Sequence, residues 1–191
     1  MATKPGERKT QILQTLAEML EQPHAARITT AALAARQQVS EAALYRHFAS
    51  KAQMFEGLIE FIETTLFTLI NQIIAAEPQP LTQARKIVSM LLAFAERNRG
   101  MTRVLTGDAL VTEDNRLQGR INHINDRIEA SLKQCLREAV NEGSLPPQTN
   151  VAAYASLLTH LVMGRWLRYA QSGWRVTPTA HLEEHLRLIL P

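Results

Sequence analysis

The chain is short of cysteine, of aromatic residues and of long apolar runs, and each shortage narrows what it can be. Cys135 is its one cysteine in 191 residues, so no internal disulfide can form. The spacing of Cys135 from Ile128, Leu132 and Ala139 puts it on the apolar face of a helix, as a small buried hydrophobe. Aromatic residues make up 5% of the chain, which leaves the packing to Leu, Ile, Val and Ala. No run of 18 or more uncharged apolar residues occurs, which argues against a transmembrane span. The polar N-terminus lacks an apolar signal-peptide segment, and a cytoplasmic protein is expected. Strand-like alternation is nearly absent. No P-loop or dinucleotide-binding glycine pattern is present, and no serine sits in a nucleophile elbow.

The length suffices to bury a real core as one or two small domains. The chain is 46% hydrophobic and 20% charged, an ordinary balance for a globular protein. Apolar residues recur every three or four positions almost throughout, so the expected class is all-α. A first helix is expected over about 7–21, with Ile12, Leu13, Leu16, Met19 and Leu20 on one side. Longer helices are expected over 51–76, 81–98, 115–142 and 150–172, a shorter one over 101–110 and a last one over 177–190. Pro78 and Pro80 end the 51–76 helix, Gly100 fits a C-terminal cap for the next, and Asn150 fits an N-cap.

Residues 27–51 are the most informative segment. They read as two short helices, a tight turn and the start of a third helix. Thr29 or Thr30 can cap the first helix, and Ile28, Leu33 and Ala34 supply its buried side. Val39 plugs the turn, Ser40 caps the second helix, and Leu44 and Phe48 point inward together. Ala42, Ala43, Tyr45, Arg46 and His47 are left towards the outside. A short helix with small residues near its start and a polar, basic outer face suits the major groove. Ser50 then caps the following helix, with Lys51 in its first turn. The same spacing also occurs in helical proteins that bind no nucleic acid, so the pattern alone leaves both readings open.

Charge bears on that choice. Residues 1–51 hold seven basic side chains, Arg27 and Arg36 among them, against four acidic ones, and this excess of three equals the net charge of the whole chain. Positive charge gathered at one end is what neutralising DNA phosphates requires.

The Ile28-Thr-Thr-x-x-Leu-Ala34 run, the Val39-Ser-Glu-Ala-Ala-Leu-Tyr-Arg-His-Phe48 run and Ser50-Lys51 resemble the DNA-binding domain of TetR-type regulators. That resemblance implies DNA backbone contacts from Thr29 and Thr30, groove contacts from Ala42, Ala43, Tyr45 and His47, and a phosphate contact from Lys51. With Arg27, Ser40 and Arg46 these form the candidate DNA-binding set. Two positions depart from the family pattern: Gln38 replaces the usual turn Gly, and Ala49 replaces the usual Pro. A positive φ at Gln38 would cost roughly 1 kcal/mol. The family's architecture implies a DNA-binding domain over 1–51 and a helical dimerisation and partner domain over 52–191. The last two helices would supply the homodimer surface, through Leu157, Leu161, Gly164, Trp166 and Leu167 on one and Leu182, Leu186, Ile189 and Leu190 on the other. A two-fold dimer would read palindromic double-stranded DNA.

A longer resemblance runs through Leu58-Ile-Glu-Phe-Ile-Glu63, Glu96-Arg-Asn98, Thr102-Arg103, Leu105-Thr-Gly107, Arg116-Leu-Gln-Gly-Arg-Ile-Asn122 and Arg127-Ile-Glu-Ala130. These segments are similar to the nucleoid occlusion factors of the TetR family. That likeness implies a partner, the tubulin-like division protein FtsZ, whose polymers such factors disrupt over DNA. It places the FtsZ surface on Phe61, Leu69, Met90, Ala93, Arg97 and Asn98. Phe61, Arg97 and Asn98 match the family, Met90 and Ala93 depart slightly, and Leu69 stands where Arg is expected. Without the family, Phe61 reads either as an exposed peptide anchor or as packed on a neighbouring helix. Arg97 reads either as a carboxylate partner or as a favourable charge at a helix C-terminus. The alternative function is a ligand-responsive TetR-type repressor.

His181-Leu-Glu-Glu-His185 fits a zinc-protease spacing, with both histidines on one helix face. No third ligand is evident, so a helix-surface charge pattern is the better reading. No metal, cofactor or enzymatic activity is expected.

Overall fold

The computed structural model describes residues 5–22, 28–110 and 114–190, and among these every regular element is helical. The helices are α1 (Pro5–Leu20), α2 (Thr30–Arg36), α3 (Glu41–Tyr45), α4 (Lys51–Ala76), α5 (Pro80–Arg97), α6 (Arg99–Leu105), α7 (Asn115–Asn141), α8 (Val151–Gln171) and α9 (Leu182–Ile189), with one 3-10 turn at Asp108–Leu110. Two compact units form: Met1–Ile62 with Asn98–Ile121, and Glu63–Arg97 with Asn122–Pro191.

In the first unit α1 packs on α2 and α6, and α2 on α3. Ile12, Leu16, Leu33, Leu44, Phe55, Leu58, Val104 and Leu117 are among its buried side chains. The expected helix over 101–110 is shorter and starts earlier. It ends at Leu105 because Gly107 takes φ 77°, a left-handed geometry that stops an α-helix, and the 3-10 turn follows. Gly100 is not a C-cap. It lies buried inside α6, where an added Cβ would sit 1.8 Å from the Ala17 carbonyl oxygen on α1. The glycine therefore sets how closely α6 approaches α1. Asp114 caps α7 by accepting from the Arg116 amide at 2.9 Å. The Arg116 guanidinium beside it holds the Asp114 carboxyl down to about 2.

In the second unit α5 packs on α8. Ile87, Val88, Leu91, Leu92, Ile124, Leu132, Leu136, Leu158 and Val162 are buried there. Pro80 opens α5, where its missing N–H costs nothing. Gln83 Nε2 donates to the carbonyls of Ile74 at 3.3 Å and Glu77 at 2.7 Å and so closes the end of α4. Asn150 caps α8 as expected, accepting from the Ala153 amide at 3.1 Å. Arg127 lies over the Phe67 ring, 3.7 Å from its centroid, and also pairs with Glu63.

Helix α9 begins five residues later than its apolar pattern suggests. Arg165 donates to the carbonyls of Pro178 and Ala180, which turns them towards α8, and His181 stands at φ 54° just before the helix. Glu96 holds the same loop by accepting from the Thr179 amide at 3.1 Å and hydroxyl at 2.5 Å.

The expected homodimer surface is only partly open. Leu157, Leu167 and Leu188 are exposed, and nothing lies within 4 Å of a Cβ built on Gly164. Trp166 is instead buried, with its indole N–H donating to the Leu91 carbonyl at 3.1 Å. Leu182, Leu186 and Leu190 are buried as well, because α9 turns its apolar stripe into its own unit. Helix α4 is long and apolar enough to cross a membrane by length and composition alone, yet Phe55, Leu58, Ile59, Ile62 and Leu66 on it are buried within the fold.

Two glycine substitutions separate packing from propensity. Gly100→Ala should lose about 3 kcal/mol or more of unfolding free energy by urea titration, because a backbone oxygen blocks the methyl. Gly119→Ala, on α7 with open space around it, should gain about 1 kcal/mol.

Candidate functional site

The α2–turn–α3 segment is built almost entirely from local contacts. Thr29 caps α2 by accepting from the Ala32 amide at 3.1 Å, and Ser40 caps α3 by accepting from the Ala43 amide at 3.2 Å. Between them the Val39 amide bonds the Ala34 carbonyl and the Gln38 amide bonds the Ala35 carbonyl, both at 3.0 Å. This pattern ends a helix with its turn residue in the left-handed region. Gln38 stands at φ 54°, so the missing glycine does carry the backbone cost that its position implies. Gln37 ties the turn to α1 by donating to the Gln11 carbonyl at 3.1 Å and to the Thr15 hydroxyl.

Leu44 and Phe48 are buried, and Ala42, Tyr45 and Arg46 face outward, with Tyr45 45% exposed. Ala43 and His47 are half-buried at the edge of that face. Arg27 lies outside the described residues. Thr30 does not cap α2. Its hydroxyl donates to Glu41 Oε2 at 2.6 Å, a pairing that only the folded turn reveals. The replacement of proline by Ala49 also has a local reason. The Ala49 amide, which proline lacks, donates to Gln53 Oε1 at 2.9 Å, while Ser50 Oγ accepts from the Gln53 amide at 3.1 Å. The Ser-x-x-Gln spacing of Ser50 and Gln53 was the available sequence signal for this cap. Lys51 follows, with its ammonium 5.6 Å from the centre of the Phe55 ring.

The partner-surface candidates divide between the units. Leu69 and Met90 meet in one apolar groove of about 250 Å³, together with Gln72, Ile73, Ala76, Glu77 and Lys86. Met90, Ala93 and Arg97 continue along one face of α5, three and four residues apart, and Arg97 is exposed. On the groove wall Lys86 pairs with Glu77 at 2.6 Å, which holds the Glu77 carboxyl below its ordinary range. In the first unit Phe61 is 44% exposed. Asn98 precedes α6, and its carbonyl accepts from both the amide and the hydroxyl of Thr102 at 2.9 Å.

The remaining chemistry is sparse. His181 is the left-handed N-cap of α9; its carbonyl accepts from the His185 amide at 3.1 Å, and the two rings lie 6.4 Å apart. His185 Nδ1 instead meets the Arg165 guanidinium. No cluster of three His, Cys, Asp or Glu side chains fit to hold a metal occurs among the described residues. Burial pushes the Cys135 thiol up to about 11.

A capped helix–turn–helix with an outward recognition face, followed by six further helices among the described residues, defines a TetR-type DNA-binding regulator. Two family models agree, one described as bacterial regulatory proteins of the tetR family over residues 12–58, the other as the tetracyclin repressor-like C-terminal domain of the SlmA-like group over 78–190. Among solved structures, the fatty acid degradation regulator FadR from Bacillus halodurans aligns with a TM-score of 0.79 at 14% identity, covering 95% of this chain and 97% of that one. PfmR from Thermus thermophilus, a TetR family regulator, aligns at 0.76 and 20% identity, covering 94% and 97%. Both show the fold. The nucleoid occlusion factor SlmA of Marinomonas sp. strain MWYL1 is 52% identical over 178 residues, 93% of this chain and 90% of that protein. SlmA of Vibrio cholerae serotype O1 is 52% identical over 185 residues, 95% and 93%. The chain belongs to the SlmA family of nucleoid occlusion factors, DNA-binding regulators rather than enzymes.

The left-handed turn gives a direct test. Gln38→Gly should raise the unfolding free energy of the full chain by about 0.5–1 kcal/mol, the relief of the left-handed geometry less glycine's entropy. Urea titration would show it, and an unchanged midpoint would mean that Gln38 is not held in that geometry in solution.

Proposed function

We propose that the chain binds specific palindromic sites on double-stranded DNA as a homodimer and, so bound, antagonises FtsZ polymerisation and division-ring assembly over the chromosome. What carries this reading is 52% identity over 93% of the chain to a protein named a nucleoid occlusion factor. The same proposal puts the protein in the cytoplasm, on the nucleoid. It divides the chain into a DNA-reading domain over 1–51 and a dimerisation and partner domain over 52–191.

The residues take roles that their chemistry supports. Tyr45, Ala42, Ala43 and His47 enter the major groove, with Arg46 beside them. Arg27, Thr29 and Lys51 hold phosphates, with Thr30 and Ser40 flanking them. The exposed leucines of α8 and α9, Leu157, Leu167 and Leu188, together with open Gly164, support a two-fold pairing that would set two α3 helices in successive major grooves. For the FtsZ tail, Leu69, Met90 and Ala93 offer apolar contact, Arg97 a bidentate partner for a carboxylate, and Phe61 and Asn98 further contact. Leu69 makes its part of the groove apolar, so a tail bound there relies on Arg97 for its charge recognition.

The test is binding of the purified full chain to a labelled FtsZ C-terminal tail peptide, with and without a palindromic duplex of the type bound by SlmA. Peptide binding that tightens when DNA is present supports the reading. Binding of DNA without binding of peptide overturns the FtsZ half and leaves a ligand-responsive repressor. In the same assay Tyr45→Ala should weaken DNA binding about tenfold or more. Arg97→Asp should abolish peptide binding and leave DNA binding intact, and normal peptide binding by that variant would mean the partner surface lies elsewhere.

A further inference from the structure

Glu41 is the one acidic side chain among residues 28–51. It is exposed at the first position of α3, one turn from outward-facing Tyr45. Among the described residues no basic side chain forms an ion pair with it; of its sequence neighbours, Ser40 Oγ is engaged with the Ala43 amide and Ala42 is apolar. The Thr30 hydroxyl orients the carboxylate by donating to Oε2 at 2.6 Å. An ionised carboxylate only accepts hydrogen bonds, and it has room for more than one donor.

DNA offers such a group few partners. Phosphate oxygens are acceptors and carry like charge. On the major-groove edges, N7, O6 and O4 are acceptors too, and the donors are the amino groups of cytosine N4 and adenine N6. A carboxylate pressed against any other base therefore loses water and gains nothing, while it repels the backbone everywhere. We propose that Glu41 is a specificity-determining residue of the DNA surface, accepting a hydrogen bond from a base amino group at cognate sites and opposing contact with all other DNA. The proposal rests on the DNA-binding reading above. It gives Thr30 a positioning role, since a hydroxyl proton donated to Glu41 is not available to a phosphate.

The experiment is selection from a randomised duplex pool by the full-length wild-type chain, by Glu41→Gln and by Glu41→Ala, with affinity for a scrambled duplex measured alongside at 0.15 M salt. The wild type should enrich a motif with cytosine or adenine at one position of each half-site, and which base it is identifies the amino group. Glu41→Gln should move that position towards adenine, whose N6 and N7 suit an amide, and Glu41→Ala should leave it unselective. Both variants should bind scrambled DNA about fivefold more tightly for each protomer in contact, about 25-fold for the dimer, the effect of removing one opposing charge per protomer at this salt. An unchanged motif with unchanged scrambled-DNA affinity in both variants would overturn the proposal and leave Glu41 a structural partner of Thr30. A wild-type chain that enriches no motif at all would instead overturn the DNA-binding reading on which it rests.

Discussion

Helix α3 spans five residues, too few to hold a helical shape in water, since nucleation alone outweighs what so few bonds return. Its geometry is imposed from outside. Ser40 fixes its first turn, Leu44 and Phe48 pin its inner side, and the turn before it is locked by two backbone bonds around Gln38. Gln37 then ties that turn to α1. The outward side chains of α3 are aimed by these contacts, so that face is only as rigid as the α1–α2–α3 packing beneath it. A left-handed glutamine at the hinge is therefore a cost placed under the recognition surface itself.

Much of this was legible in the sequence because it is local. Caps, inward pairs and outward faces are relations between residues three or four apart, and Ser40, Leu44, Phe48 and Tyr45 sit where their spacing put them. Helices α4, α7 and α8 follow their apolar period almost to the residue. What the sequence hid is long-range. Gly100 looks like a helix terminator until the Ala17 carbonyl, 83 positions earlier, is found against it. Trp166 reads as one more apolar residue on an exposed stripe, but its indole N–H has a buried acceptor on α5. The start of α9 depends on Arg165 drawing two carbonyls away from helical bonding, which no local propensity encodes. The bond from Thr30 to Glu41 crosses a turn and gives Thr30 a partner that its reading as a cap did not anticipate.

The groove of the second unit takes its character from a few side chains. Leu69, Ile73, Ala76 and Met90 give it apolar walls, and its nearest charged pair, Lys86 with Glu77, is already satisfied internally. A ligand there gains from apolar burial and has little fixed charge to meet until it reaches Arg97 along α5. An arginine at position 69 would place a guanidinium on the wall instead. With leucine, a ligand seated there would depend more on its apolar side chains and less on salt, because apolar burial is insensitive to the screening that weakens exposed ion pairs.

Charge at the DNA-reading end constrains the rest of the function. Seven basic side chains against four acidic ones is a small excess, and one of the acids, Glu41, lies on the recognition face. Affinity for arbitrary DNA scales with the number of phosphates neutralised, so a single copy of such a surface grips non-cognate duplex weakly. Two copies on a palindrome double both the phosphate contacts and the base contacts, and a mismatch in each half-site is penalised twice. A weakly charged monomer surface thus makes dimerisation the step that creates tight binding and also the step that creates discrimination. For a protein that must pick out specific sites amid a vast excess of other DNA, the ratio of those two affinities matters more than either one alone.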